Sequence, residues 1–361
     1  MHLNAKSGEP SDPKTPSTVS DSDASRPRRR FGIGVLLAVV ILTLAATLGG
    51  VAAWQAYQRP APAPLTAISV VDDAGRTVTV PSIPSRIVVL QPSAMDIVYR
   101  LGLRSDVVGV DCGAPAVGGL SADYAPWQIQ NWSLSSLPCI TWIPSLDLQG
   151  IVALDPGLVI GSTGIEVSAL ATLQDSDHIP SLYLNPSTLL GISVDVEMVA
   201  KLTGTTTLGA SLVQQMSSEL GIVQSTVGNA SLVTSIPTVL VTFYDDPTGY
   251  YTFGPGTFGN DLMVTAGASN IAGNDTYANQ GEISGSYVLA ANPGLIVYGT
   301  GFGRTLQNYS AGPYWSQLGA VQTHHVFGID ATYVAEPDPT MVLVGLPTLF
   351  AIVHPGVTLG G

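Results

Sequence analysis

The stretch from Thr205 to Asn229, TTTLGASLVQQMSSELGIVQSTVGN, restricts the architecture more than any other part of the chain. Leu208, Leu212, Met216, Leu220, Val223 and Val227 recur at steps of three or four, which lays one apolar stripe along a helix. Thr205–Thr207 can cap its start and Gly228-Asn229 can end it. A helix of about 22 residues, rising about 1.5 Å each, makes a rod about 33 Å long, comparable to the width of a small domain. The chain on either side of this rod reads as the same kind of unit used twice.

The duplication shows in two distant segments. Val152–Gly161 reads VALDPGLVIG and Leu289–Tyr298 reads LAANPGLIVY. Each leaves a helix, turns at Asp155-Pro156-Gly157 or Asn292-Pro293-Gly294, and enters an apolar strand. Upstream, Ile68–Val80 has two strand-like runs around Asp73-Ala74-Gly75, a hairpin signal. Arg86–Leu90 reads as a buried strand, Ala94–Leu103 as a helix and Val107–Val110 as a strand; this order implies a parallel sheet. Downstream, Thr238–Phe243, Ile296–Tyr298 and Val326–Ile329 read as strands and Phe258–Gly267 as a helix. Met341–Val353 reads as a helix kinked by Pro347. The expectation is an α/β protein of two lobes with mainly parallel sheets, residues 67–204 and 230–361, joined by one long linker helix over 205–229.

The N-terminal part has a different composition. Residues 1–30 are polar, rich in Ser, Pro and Asp, and predicted to be a disordered cytoplasmic tail. Arg26–Arg30 (RPRRR) abuts Phe31–Trp54, 24 residues without a charge, long enough for a single transmembrane helix. The basic cluster keeps the N-terminus cytoplasmic and sends the rest outside. Val51-Ala52-Ala53 resembles a cleavage site, but the apolar run exceeds a signal-peptide core, which favours an uncleaved anchor. Residues 55–66 form a linker, stiffened by Gln58–Pro64 (QRPAPAP). Beyond residue 59 the chain has six basic residues against 22 acidic ones, a field that repels phosphate backbones and excludes nucleic acid as a partner. Cys112 and Cys139 both lie in the exported part, where a disulfide persists; two buried thiols are the alternative.

Arg76–Asp111 (RTVTVPSIPSRIVVLQPSAMDIVYRLGLRSDVVGVD) resembles the start of the binding proteins for iron-siderophores and vitamin B12, the receptors of ABC importers. The resemblance continues through Leu148–Ile160, Lys201–Gly204, Thr252–Ala268 and Ser284–Val297. It implies two α/β lobes on a linker helix, with the ligand held in the cleft between them. The open-sheet rule independently puts a ligand at the carboxyl ends of the strands. That rule brings Ser93, the aromatic region Asp111–Trp142 with Tyr124, Trp127 and Trp142, and the loop with Tyr244, Tyr250 and Tyr251 to the gap. Tyr124 and Trp142 lie in segments similar to cleft segments of the B12 receptors. Flat aromatic faces suit a corrin ring. Arg304 is one of few cations available to an anionic chelate, so a cobalamin-like corrinoid is favoured over an iron chelate, with haem left open. An ABC permease is the implied partner. Where B12 receptors of this family present a Glu on each lobe to the permease, this chain has Gln149 and Ser286; Asp147 and Glu282 stand nearby. These substitutions leave room for a surface sensor or scavenger on the same fold.

Other chemistries fit less well. Gly254–Gly259 matches G-x-G-x-x-G, but ten residues separate it from Phe243, whereas a dinucleotide loop turns directly from strand to helix. His178, His324, His325 and His354 show no metal-ligand spacing. Ser93 is not in a nucleophile elbow. The reading is a binding protein without catalysis, resident metal or cofactor.

Overall fold

The computed structural model describes residues 67–112, 120, 124–229, 233, 235–245, 249–274, 281–301 and 304–360, with Thr47 and Gly50, and excludes the side chains of residues 244 and 245. Of the expected tail, membrane span and linker, the described residues include only Thr47 and Gly50 of the span, both helical. No helix among the described residues is long and apolar enough to cross a membrane.

The first half begins with an antiparallel hairpin, β1 (Ile68–Val71) and β2 (Thr77–Val80). Its turn is held by Asp72, which accepts from Ala74 N and Arg76 N at 3.1 and 2.8 Å and pairs with the Arg76 guanidinium at 2.6 Å. An uninterrupted apolar run then forms β3 (Ile87–Leu90), buried on both faces as expected for the middle of a parallel sheet. It is followed by α1 (Pro92–Arg100), β4 (Val107–Asp111), α2 (Pro126–Asn131), β5 (Cys139–Ile140) and α3 (Leu148–Ala153). Next come β6 (Leu158–Gly161), α4 (Val167–Asp175), β7 (Ser181–Tyr183) and α5 (Leu189–Thr203). The strands form one parallel sheet in the order β5-β4-β3-β6-β7. Helix α1 starts at Pro92 rather than Ala94, because proline suits the first helical turn. Cys112 and Cys139 are joined in a disulfide, with their Cα atoms 5.5 Å apart.

The long helix α6 spans Thr206–Val227. Its stripe is buried at Leu212, Met216, Leu220 and Val223, whereas Leu208 is 51% exposed and Val227 only partly covered. The stripe turns away at its first residue because Gly209 makes the contact with α5: a Cβ there would lie 2.5 Å from the Cβ of Ala200.

Beyond it lie β8 (Thr238–Thr242), β9 (Tyr244–Asp245), β10 (Gly249–Tyr251), α7 (Phe258–Thr265), β11 (Ser269–Asn270), β12 (Glu282–Ser284) and α8 (Gly285–Ala291). Then follow β13 (Leu295–Thr300), α9 (Leu306–Ser310), α10 (Gly319–Gln322), β14 (Val326–Asp330) and α11 (Thr332–Ala335). Met341–Gly345 is a π-helical turn leading into α12 (Leu346–Val353), so the apolar C-terminal run is interrupted just before Pro347. A second parallel sheet runs β11-β8-β13-β14, and a small antiparallel sheet, β12-β10-β9, stands apart from it.

Burial follows the two-residue period of each strand. Ile87 and Val89 of β3, with Val239 and Val241 of β8, join the cluster that includes the α6 stripe. Val88 and Leu90 face a separate cluster with Ile151 and Leu170, and Leu240 and Ile296 face another with Tyr250 and Trp315. One face of each sheet therefore shares a continuous apolar seam along α6, and the other face has its own core.

Candidate functional site

The carboxyl ends of the two parallel sheets are tied to each other at two places. Beyond the end of β7, Leu189 N donates to Asp261 Oδ2 of α7 at 2.8 Å. Beyond the end of β4, the Trp127 indole donates to Asp330 Oδ2, the last residue of β14, at 3.1 Å. Strands β4 and β7 flank the central pair β3 and β6, and β14 and β11 are the edges of the second sheet. The strand ends between these two ties, those of β3, β6, β8 and β13, are the candidate site.

Gln91 lies directly after β3. Gln91 has φ 87°, outside the range most side chains adopt, and is 8% exposed. Its backbone N–H donates to Asp111 Oδ1 at the end of β4 at 2.6 Å, and its carbonyl accepts from Met95 N at 3.2 Å. The same Asp111 oxygen accepts from the Tyr124 hydroxyl at 2.6 Å. Ser93 Oγ donates to Ser162 Oγ at 2.7 Å, linking the ends of β3 and β6. These bonds lock the strand ends, while Gln91 Nε2 is buried without a hydrogen-bond partner. Beside it, Trp142, Leu146, Gly164, Ile165 and Glu166 line a cavity of about 100 Å³. A larger cavity, about 330 Å³, lies under Trp127, Tyr99 and Trp132. Its acid is already engaged: Asp96 accepts from Arg100 Nε at 2.9 Å and from Thr340 N at 2.9 Å.

Among the residues predicted for the site, Trp142 and Trp127 are partly exposed and lie at the first half's carboxyl edge. Tyr251 is partly exposed on β10, and Tyr244 lies opposite it on β9. Arg304 follows β13 in a short bridge with Gly301. Three predicted contacts offer no free face. Ser93 is 2% exposed and held by Ser162; Tyr124 is 1% exposed, with its hydroxyl on Asp111 and its ring against Trp132. Tyr250 is 2% exposed, stacks on Trp315 and donates to the Pro313 carbonyl at 2.8 Å; burial pushes its hydroxyl up to about 12. Ser93 and Tyr124 are thus used to fix strand ends, and Tyr250 to hold the loop at Pro313. Gln91 lies in the Gln91–Ala94 loop that the open-sheet rule brings to the gap, but was not named there as a contact. The signal available was a polar residue between a fully buried strand and a helix-starting proline.

Cations are scarce at the site. Arg76 is paired with Asp72, and Arg100 with Asp96. Arg86 donates to the carbonyls of Leu154 and Asp155, and Arg104 to those of Trp132 and Ser133. All four arginines of residues 67–112 thus serve the fold. No group of three or more His, Cys, Asp or Glu side chains is placed to hold a metal ion among the described residues.

The residues predicted to meet a permease occupy matching places. Asp147 caps α3, accepting from Gly150 N at 2.9 Å, and Gln149 is exposed in the first turn. Ser284 caps α8, accepting from Tyr287 N at 3.3 Å, and Ser286 is exposed in that first turn, next to Glu282 of β12. Each short helix then leads through its Pro-Gly turn into a central strand, β6 or β13.

Comparisons with known proteins agree with this geometry. The chain is 25% identical over 334 residues to the uncharacterized ABC transporter substrate-binding lipoprotein YvrC of Bacillus subtilis (strain 168), covering 91% of this chain and 98% of that one. It is 24% identical over 321 residues to a cobalamin-binding protein of Halobacterium salinarum, covering 86% of this chain and 82% of that one. The fold superposes on the crystal structure of an ABC-type Fe3+-hydroxamate transport system from Saccharomonospora viridis with a TM-score of 0.63 and 19% identity, covering 81% of this chain and 99% of that one. The periplasmic binding protein model matches residues 87–333, more than half of the chain. The chain therefore belongs to the periplasmic binding protein family.

Proposed function

We propose that the chain is the extracytoplasmic substrate-binding protein of an ABC importer and captures a cobalamin-like corrinoid between two lobes, residues 67–204 and 230–361, linked by the helix over 205–229. The supporting observation is the pair of hydrogen bonds, Trp127–Asp330 and Leu189–Asp261, that join segments following the strands of both sheets, where an open sheet binds ligands. The cobalamin-binding relative supports the ligand class, and the commitment of the first half's arginines to structural bonds disfavours an iron chelate of high negative charge. Trp142, Trp127, Tyr251, Tyr244 and Arg304 are the proposed contacts. Asp111, Tyr124, Ser93 and Ser162 hold their frame. The work is capture and presentation, without a chemical step. Residues 31–54 anchor the chain, with the N-terminus cytoplasmic and the binding body outside; the RPRRR cluster before an uncharged run supports this orientation.

Fluorescence titration with cyanocobalamin, haemin and a ferric hydroxamate tests the ligand class. Saturable binding is expected to be tightest for cyanocobalamin. Trp142→Ala is expected to weaken it by about 1–3 kcal/mol. An unchanged dissociation constant would remove Trp142 from the site, and tighter binding of the ferric chelate would reverse the ligand assignment.

A second reading, a surface sensor or scavenger that engages no permease, is favoured by one feature: Gln149 and Ser286 are exposed and uncharged, so neither can form an ion pair with a permease arginine. Co-purification with permease subunits in the presence of ligand separates the two readings.

A further inference from the structure

We infer that the Gln91 carboxamide is the polar recognition point of the cleft and donates a hydrogen bond to a neutral carbonyl oxygen on the rim of the ligand. This rests on the cleft reading above and specifies what the ligand must carry. Gln91 is 8% exposed, and its Nε2 is buried with no partner. A buried amide N–H left unmatched is costly, and native structures seldom keep one without a use. Its surroundings point to the cleft. A Cβ built on Gly164 would lie 3.7 Å from Gln91 Nε2 and 4.0 Å from Trp142 Cη2. Gly164 and Trp142 both line the cavity at the carboxyl end of β6, so the amide abuts the cavity wall.

The chain fixes this residue firmly while leaving its amide uncommitted. Asp111 and Met95 hold the Gln91 backbone from two sides, and Tyr124 in turn holds Asp111. An aromatic ring and an oriented neutral donor therefore meet at one place. The first suits a flat apolar face, and the second suits an acceptor at the edge of that face. Glu166 in the same lining disfavours a carboxylate acceptor and favours an amide carbonyl. Cyanocobalamin, with amide groups around its ring, has the required chemistry.

The test is titration of the native chain, Gln91→Leu, Gln91→Asn and Trp142→Ala with cyanocobalamin, with melting temperatures recorded for each. Gln91→Leu removes the donor at similar length and is expected to weaken binding about 3–10-fold. Gln91→Asn withdraws the amide by one methylene and keeps a carboxamide at the same backbone, so it is expected to weaken binding, and its melting temperature separates this effect from loss of fold. If Gln91→Leu unfolds, the Asn variant decides. Native affinity in a folded variant, with Trp142→Ala still impaired, would overturn the role of Gln91 and leave the cleft reading standing. Failure of the native chain to bind cyanocobalamin would overturn both.

Discussion

The two halves use one strand order and differ in where each departs from it. The order β4-β3-β6-β7 in the first sheet corresponds to β11-β8-β13-β14 in the second, and in each half a short capped helix enters the third strand through a Pro-Gly turn. In the first half, strand and helix are separated by Gln91 alone, and the extra chain comes after β4, with Trp127 and Trp132 inside the disulfide-closed stretch and Trp142 just beyond it. In the second half, the extra chain comes after β8, where β9 and β10 carry Tyr244, Tyr250 and Tyr251 before α7 begins. Both insertions lie at the carboxyl edge. The shared order supplies a stable frame, and each half adds its own insertion at the end where an open sheet binds ligands.

If the halves are coupled through α6 and not merely tethered by it, a change in the seam should affect both at once. Met216 is fully buried in the cluster that joins the two sheets. Met216→Ala is expected to cost about 3 kcal/mol in denaturant unfolding, in a single transition read by both fluorescence and circular dichroism. Leu208→Ala, at a site 51% exposed, should cost under about 0.5 kcal/mol. Two separated transitions in the Met216 variant would show that the seam does not couple the halves.

A smaller effect sharpens the likeness of the two turns. Asp155 and Asn292 both adopt left-handed backbone, with φ 47° and 44°. Asn292 Oδ1 also accepts from Gly319 N at 2.8 Å, whereas Asp155 is exposed. Asn292→Ala is therefore expected to cost about 1.5–2 kcal/mol and Asp155→Ala about 1 kcal/mol, the difference being one hydrogen bond. Equal losses would mean that the second turn gains nothing from its side chain.

Much of the frame was legible in the sequence because it rests on local patterns. The hairpin at Asp73–Gly75, the buried runs of β3 and β8, the paired Pro-Gly turns and the stripe of α6 all follow from periodicity and turn chemistry. The site was less legible because period does not reveal which way a loop aromatic turns. Tyr124 and Tyr250 were expected at the cleft but are held inward by Asp111 and Pro313, partners distant in sequence. The β9–β10 hairpin read as a plain loop because its strands are only two and three residues long. The loop at Gln91 was expected at the gap, but the positive φ of Gln91 was not legible because its backbone is held by Asp111, 20 residues away.

The central claim is that one ligand is gripped by the carboxyl ends of both sheets. Hydrogen–deuterium exchange with and without saturating cyanocobalamin tests it most directly. The account predicts joint protection of residues 91–95 and 162–166 in the first half and 249–254 and 304–306 in the second. Protection confined to one half, or placed at the amino ends of the strands, would contradict it.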